Sequence, residues 1–211
     1  MRQRGLALGA KRAIDVAIAG AALVATAPIL GAAAIATRIA SGSPVFFRQE
    51  RPGRDAKPFR VIKFRTMNDA RNARGDLLPD ADRLTKVGAF LRATSIDELP
   101  QLVNVLRGEM SLVGPRPLLM QYLPRYSKEQ ARRHEVLPGI TGWTQINGRN
   151  GLSWEEKFAL DVWYVEHWSP WLDIKILAKT IGSVLRREGI SSEGHVTMPE
   201  FMGSSTNGAH A

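Results

Sequence analysis

The most prominent pattern is a run of 22 residues, Val16 to Thr37, without a charged side chain. As a helix it measures about 33 Å, enough to cross a hydrocarbon core of about 30 Å. Ala25-Thr26-Ala27-Pro28 interrupts its middle. Proline removes a backbone donor and crowds the carbonyl four residues back, which predicts a kink there. Thr26 is placed to hydrogen-bond a freed carbonyl.

The flanks bear on topology. Arg2, Arg4, Lys11 and Arg12 precede the run, with no acid among the first twelve residues. Residues 38–65 hold eight basic side chains against Glu50 and Asp55. Basic flanks stay cytoplasmic, and here both are basic. Three arrangements stand open: a single span, a bent hairpin that enters one leaflet and returns, and an Ala-rich helix inside a soluble core. The hairpin reconciles two basic flanks with a central proline. A cleavable signal fits poorly, because such apolar regions run to about 7–15 residues and Pro28 follows the cleavage-like Ala25-Thr26-Ala27. The run is expected to be retained as an anchor.

Further along, Val45-Phe46-Phe47 and the run Phe59 to Phe64 flank Pro52-Gly53-Arg54-Asp55, which predicts a β-hairpin within Ser43–Phe64. Residues 68–88 read as a mobile polar connection with short helices. Leu99, Leu102, Val103 and Leu106 recur at helical spacing, and Gly108 should stop that helix. Pro100 is tolerated only in a first turn, which puts the cap near Asp97. Two prolines make Val113-Gly114-Pro115-Arg116-Pro117 a rigid loop. Tyr122 to Glu135 is expected to be a charged helix, and Leu137 to Trp143 is turn-rich. Trp154 to Trp168 reads as a helix. Ser169-Pro170 then caps another, with an apolar stripe of Ile174, Leu177, Ile181, Val184 and Leu185. Trp163, Tyr164, Trp168 and Trp171 gather at this junction. They suit either a bilayer headgroup region or an ordinary core. Beyond Gly189 the chain is rich in Ser, Gly and Thr and should be loosely ordered.

Charge narrows the partner class. In 211 residues, 29 Lys and Arg against 20 Asp and Glu leave +9. Such a surplus favours nucleic acid, an anionic membrane or phosphorylated substrates. No zinc-finger, heptad or aromatic-interleaved basic stripe accompanies it, so nucleic acid is a weak reading. With no cysteine, disulfides, thiolate metal sites and cysteine nucleophiles are excluded. The four histidines stand apart, against a histidine zinc site.

Asp97 and Glu98 place neighbouring carboxylates at a helix start. Alone, the pair suits plain stabilisation of a first turn. Basic residues with rigid or glycine-rich neighbours change that: Lys63-Phe64-Arg65, Arg92, Pro115-Arg116-Pro117 and Asn147-Gly148-Arg149. Arginine matches phosphate oxygens as a planar fork. A carboxylate pair among such groups can bind Mg²⁺ and hold a diphosphate, or attack phosphorus. No P-loop and no Gly-x-Gly-x-x-Gly is present.

Taken together, Lys11-Arg12-Ala13-Ile14-Asp15, Ser43 through Gly53, Lys63-Phe64-Arg65-Thr66-Met67, Asp97-Glu98-Leu99-Pro100-Gln101, Val113 through Pro117, and Pro138 through Arg149 resemble the bacterial sugar transferases. These are the monotopic phosphoglycosyl transferases, here in the small form. The resemblance implies a mostly helical α+β fold with a Pro-kinked re-entrant membrane helix, interfacial amphipathic helices and a small β-hairpin. Residues 1–40 would be the membrane segment, 41–190 the catalytic domain and 191–211 a tail.

It further implies transfer of a phosphosugar from a UDP-sugar to undecaprenyl phosphate, releasing UMP, with Mg²⁺ and by a ping-pong route. Asp97 would be the nucleophile and Glu98 its partner, both near the metal. Lys63, Arg92, Arg116, Arg149 and Asp161 would line the substrate site. The site would face the cytoplasm at the bacterial inner membrane. The tail Glu193-Gly194-His195-Val196-Thr197 is similar to members that begin protein N-glycosylation, which favours UDP-N,N′-diacetylbacillosamine, with UDP-N-acetylgalactosamine, UDP-glucose and UDP-galactose left open. A homodimer stays open. A basic, non-catalytic scaffold on anionic lipid is the alternative from another class.

Overall fold

A computed structural model describes residues 5–148, 151–186 and 200–203, excepting the side chains of 184–186. Arg149 and the 193–197 motif lie outside the described residues.

Helix α1 runs from Gly5 to Ser41 with Pro28 inside it. The Thr26 hydroxyl donates to the Ala22 carbonyl at 2.7 Å. The carbonyl that Pro28 leaves without an amide donor is that of Val24, four residues back, so Thr26 does not replace the missing bond. Buried positions fall in two groups at helical spacing: Lys11, Asp15 and Ala19, then Ala33, Thr37 and Ser41. Ala19 joins Leu102 and Val105 in the main core, whereas Ala33 packs with Phe64 and Leu91. No residue from 20 to 32 is buried. Both halves of the helix therefore pack on the rest of the protein, and the stretch around Pro28 does not.

Buried ionic contacts fix the first half. The Lys11 ammonium lies 2.6 Å from Asp173 and donates to the Val113 carbonyl at 3.2 Å. Asp173 also accepts from Tyr164 Oη at 2.7 Å and Trp168 Nε1 at 3.0 Å. Asp15 accepts the Leu112 amide at 3.2 Å.

The expected hairpin is β1 (Phe46–Pro52) against β2 (Pro58–Phe64), antiparallel, with Phe46 opposite Phe64 and Pro52 opposite Pro58. A 3₁₀ turn at Arg54–Ala56 closes it, with Asp55 and Ala56 at positive φ. The following connection carries the short α2 (Asp80–Arg83) and is tied by isolated bridges, Met67 to Leu84 and Arg71 to Leu77.

Helix α3 (Lys86–Ala93) is capped by the Thr85 hydroxyl, which accepts from the Gly88 amide. A methyl group at Gly88 would lie 1.9 Å from the Thr66 carbonyl oxygen, a backbone atom that cannot swing aside. Gly88→Ala is therefore expected to lower stability by about 1–3 kcal/mol. At Gly20 nothing lies within 4 Å, so Gly20→Ala should not destabilise. Thermal unfolding of the two variants checks the contrast.

Three expectations differ from the structure. The helix α4 (Gln101–Arg107) starts after Pro100 rather than at Asp97, which sits instead in a 3₁₀ turn, Ile96–Glu98. Pro100 has no amide to donate, so the chain first closes a Leu99-to-Ile96 turn. Gly108 ends α4 at φ 82°, as its position predicts. Second, Tyr122 to Glu135 is not one helix. It divides into 3₁₀ turns at Met120–Arg125 and Arg132–Glu135 around α5 (Lys128–Ala131). Pro124 breaks the first part, and Ser127 opens a new capping box with Gln130.

Third, β3 (Ser111–Val113) and β4 (Gly139–Thr141) form a parallel pair that no pattern announced. Glycines permit the close approach: a methyl at Gly114 would lie 2.3 Å from the Leu137 oxygen, and one at Gly139 would lie 2.1 Å from the Gly114 nitrogen.

After α6 (Trp143–Ile146), helices α7 (Trp154–His167) and α8 (Pro170–Arg186) complete the body. The Ser169 hydroxyl accepts the Leu172 amide at 3.1 Å, confirming the cap. The aromatic group at this junction splits: Tyr164 and Trp168 are core, whereas Trp171 is 74% exposed. Of the tail beyond Gly189, expected to be loosely ordered, residues 200–203 are described, and they include a core side chain. Phe201 is 1% exposed and contacts the rings of Tyr122, Tyr126, Trp154 and Phe158.

Candidate active site

A cavity of about 1090 Å³ opens between the hairpin, the 3₁₀ turn at Asp97, the Pro-Arg-Pro loop and α7. Lys63, Arg92, Asp97, Glu98, Arg116 and Asp161 all line it. Six of the seven residues selected from sequence thus share one space; Arg149 is the seventh.

Each is placed by its element. Lys63 is the penultimate residue of β2, opposite Phe47. Its ammonium lies 2.7 Å from Glu98 Oε1. Arg116, fixed between two prolines, reaches the same carboxylate as a fork: 2.5 Å to Oε1 and 3.3 Å to Oε2. Arg92, in the last turn of α3, donates to the Thr66 hydroxyl at 3.0 Å.

The two acids differ sharply. Burial alone would raise Glu98, but the charges of Arg116 and Lys63 and their hydrogen bonds outweigh it and hold the carboxyl well below its usual range. Glu98 is a clamped anion with no proton to give near neutrality. Asp97 is 9% exposed. Burial, then the Glu98 charge, pushes it up to about 6 against the opposing pull of Lys63, Arg116 and Arg92. Among the described residues none donates a hydrogen bond to the Asp97 carboxylate. One carboxylate is committed, and its neighbour is poised and uncommitted.

Asp161 is 4% exposed and already paired. It accepts from Arg133 Nε at 3.0 Å and Nη2 at 2.6 Å, and from the Thr144 hydroxyl at 2.6 Å. Arg133 in turn donates to the Arg116 carbonyl at 2.7 Å. Asp161 therefore acts on the site through Arg133, which holds the Pro-Arg-Pro loop in place. Sequence reading passed over Arg133 as one charge in a charged stretch.

It also passed over Gln49 and Arg51 of β1, which line the cavity with Phe47. Their alternate spacing on a predicted strand was the available signal. Arg65 and Arg83 line the same space, but each is engaged, Arg65 by Asp69 at 2.5 Å and Arg83 by the Asn68 carbonyl at 2.9 Å.

Among the described residues no group of three or more His, Asp or Glu stands together. Mg²⁺ needs fewer when substrate phosphates and water complete its octahedron. The uncommitted Asp97 carboxylate on a basic cavity with ample room for a diphosphate fits that partial kind of site. Glu98, its oxygens already bonded to two cations, is the weaker ligand.

Comparison with known proteins bears on the whole chain. A model of the family "Bacterial sugar transferase" matches residues 6–187. A Bacillus subtilis (strain 168) protein described as an uncharacterized sugar transferase, EpsL, is 59% identical over 194 residues, covering 92% of this chain and 96% of that one. The UDP-glucose:undecaprenyl-phosphate glucose-1-phosphate transferase of Escherichia coli (strain K12) is 44% identical over 181 residues, 81% of this chain but 39% of that protein. The transferase of the same description from Caulobacter vibrioides is 43% identical over 190 residues, 83% of this chain and 69% of the relative.

Proposed function

The chain belongs to the bacterial sugar transferase family, and from that premise we propose that it is a membrane-bound phosphoglycosyl transferase, moving a sugar phosphate from a UDP-sugar to undecaprenyl phosphate. Relatives named as undecaprenyl-phosphate glucose-1-phosphate transferases support the general reaction. The observation that carries the mechanism is the uncommitted Asp97 carboxylate beside a Glu98 clamped by Lys63 and Arg116.

An oxygen of ionised Asp97 attacks the phosphorus that bears the sugar. The bond from that phosphorus to the bridging oxygen breaks, and UMP leaves with the electron pair. A phosphate oxygen of undecaprenyl phosphate then attacks the same phosphorus and frees the Asp97 carboxylate, giving a sugar diphosphate lipid. Glu98 keeps Lys63 and Arg116 beside the reacting phosphates, and Arg92 adds a third cation. Asp97 would be the residue to hold Mg²⁺ together with the donor, and the ion would supply charge neutralisation at phosphate oxygens. A covalent intermediate lets two anionic substrates use one site in turn.

The membrane segment is read as re-entrant, with the site on the cytoplasmic face. Its support is that both halves of α1 pack on the same body while residues 24–29 join neither core cluster. A span would carry the two ends to opposite surfaces.

The donor is the least constrained part. The tail motif favours UDP-N,N′-diacetylbacillosamine, while relatives named for glucose and galactose make UDP-glucose and UDP-galactose the competing donors. A panel of UDP-sugars scored for UMP release should show one donor dependent on Mg²⁺ and undecaprenyl phosphate. Incubation with that labelled donor and no lipid should label Asp97. UMP release without any adduct, in wild type and in slow variants, would mean direct transfer.

A further inference from the structure

Strand β1 presents Phe47, Gln49 and Arg51 to the cavity at alternate positions, as a strand's single face must. Arg51 differs from the other cavity arginines in one respect. Arg116 is paired to Glu98, Arg133 to Asp161, Arg65 to Asp69 and Arg83 to Asp80. Arg92 has the Asp97 charge close enough to act on it. Arg51 is half-buried, and among the described residues no carboxylate pairs with it; its one hydrogen bond is to the Gln49 amide oxygen at 2.6 Å.

Burial and the neighbouring Arg116 charge both work against its own charge and lower it to about 10, a large change for a guanidinium. A half-buried cation set beside a second cation, with only an amide to orient it, is an arrangement that an anion completes.

We propose that Arg51, oriented by Gln49, holds the phosphate of the leaving nucleoside monophosphate. The assignment rests on the reaction proposed above; its location on that substrate follows from neighbours. Lys63, opposite Phe47 in the strand pair, and Arg116 both bond Glu98, the neighbour of Asp97. Arg51 stands four residues from Phe47 on the same strand face and lines the same cavity. The carboxylates therefore lie toward the Lys63 end of this wall and Arg51 toward the other. On that order Arg51 lies away from the attacked phosphorus on the side given to the departing phosphate, where negative charge grows as the bridging bond breaks.

The same end of the cavity is backed by an aromatic cluster whose rings pack on one another. Tyr122 meets Trp154 edge-on at 5.7 Å, and Tyr126 meets Phe158 at 5.3 Å. Trp154 and Phe158 themselves line the cavity. Phe47, at the other end of the strand face about 13 Å away, is 45% exposed and apolar. It suits the lipid acceptor rather than the nucleotide.

The test uses the full chain in lipid nanodiscs. UMP is the probe, binding is followed by calorimetry, and the two half-reactions are followed with the donor found in the panel. Arg51→Gln should weaken UMP binding at least tenfold and slow Asp97 labelling by a similar factor. Consumption of preformed adduct by undecaprenyl phosphate should stay within twofold of wild type. Arg51→Lys should recover part of the loss. Unchanged UMP binding in Arg51→Gln, or equal losses in both half-reactions, overturns the proposal; the second result would mean a phosphate shared by both substrates or a structural role. Should Arg51→Gln fail to fold, Gln49→Leu keeps the test alive: it should weaken UMP binding severalfold, and no change in it also overturns the proposal. Wild type that binds UMP through Arg51 but forms no adduct would sink the covalent mechanism and leave this assignment standing.

Discussion

Asp97→Asn is expected to abolish UMP release, by about 10⁴-fold or more, and at the same time to make the protein more stable. The activity loss follows from removing the attacking oxygen, since the amide is a poor nucleophile. The stability gain follows from burial. The carboxyl is raised from its ordinary 3.8 to about 6, so the folded state holds the proton more tightly than the unfolded chain does. Its contribution to stability is greatest below about pH 4 and is lost as the pH rises through about 6. At pH 7.5 the ionised group therefore costs on the order of 2–3 kcal/mol. Asparagine removes that cost. Unfolding midpoints at pH 7.5 should rise by several degrees in the variant, and the difference should vanish near pH 4. A variant less stable than wild type at pH 7.5 would show that Asp97 is not strained in its ionised form.

The second large effect concerns folding. Asp173→Ala should lower stability by about 3–5 kcal/mol, because it leaves the buried Lys11 ammonium without its close partner. The remaining acid nearby, Asp15, is 3.9 Å away. The Trp168 indole would lose its acceptor as well. Replacing both members of the pair, Lys11→Met with Asp173→Leu, removes the isolated charge and should cost less than Asp173→Ala alone. Denaturant unfolding in detergent of the three proteins decides it. A double variant as damaged as the single one would mean that the lost hydrogen bonds to Tyr164 and Trp168 dominate, rather than the orphaned cation.

The chemistry was more legible in the sequence than the architecture around it. Lys63, Asp97, Glu98 and Arg116 could be picked out because a strand end or a nearby proline leaves a recognisable local mark; Arg92 and Asp161 lie within helices without one, and Asp161 entered only through the family resemblance, yet all six meet in one cavity. The hairpin and the Ser169 cap were equally readable from turn residues and alternation. The pair β3–β4 was not: three residues per strand are too few for a pattern, and the partners lie more than twenty residues apart. The role of Asp161 was hidden for a similar reason, since its cation, Arg133, comes 28 residues earlier. Arg51 could be placed on a strand face, but its lack of a counter-charge is a property of the assembled cavity. Phe201 lay in a polar tail whose composition said nothing of the aromatic slot that receives it.

The pairing of Lys11 with Asp173 joins positions 162 residues apart. At ribosomal speeds of about 5–20 residues per second, Lys11 emerges roughly ten to thirty seconds before its partner is made. Through that interval Lys11 and the adjacent Arg12 are ordinary hydrated cations on a nascent apolar segment. On the re-entrant topology proposed above, they would keep the N-terminus on the side of synthesis while the segment enters lipid. Only when α8 is complete does the same ammonium become an interior group. One side chain would thus serve first as a topological signal during translation and later as the rivet of the finished enzyme.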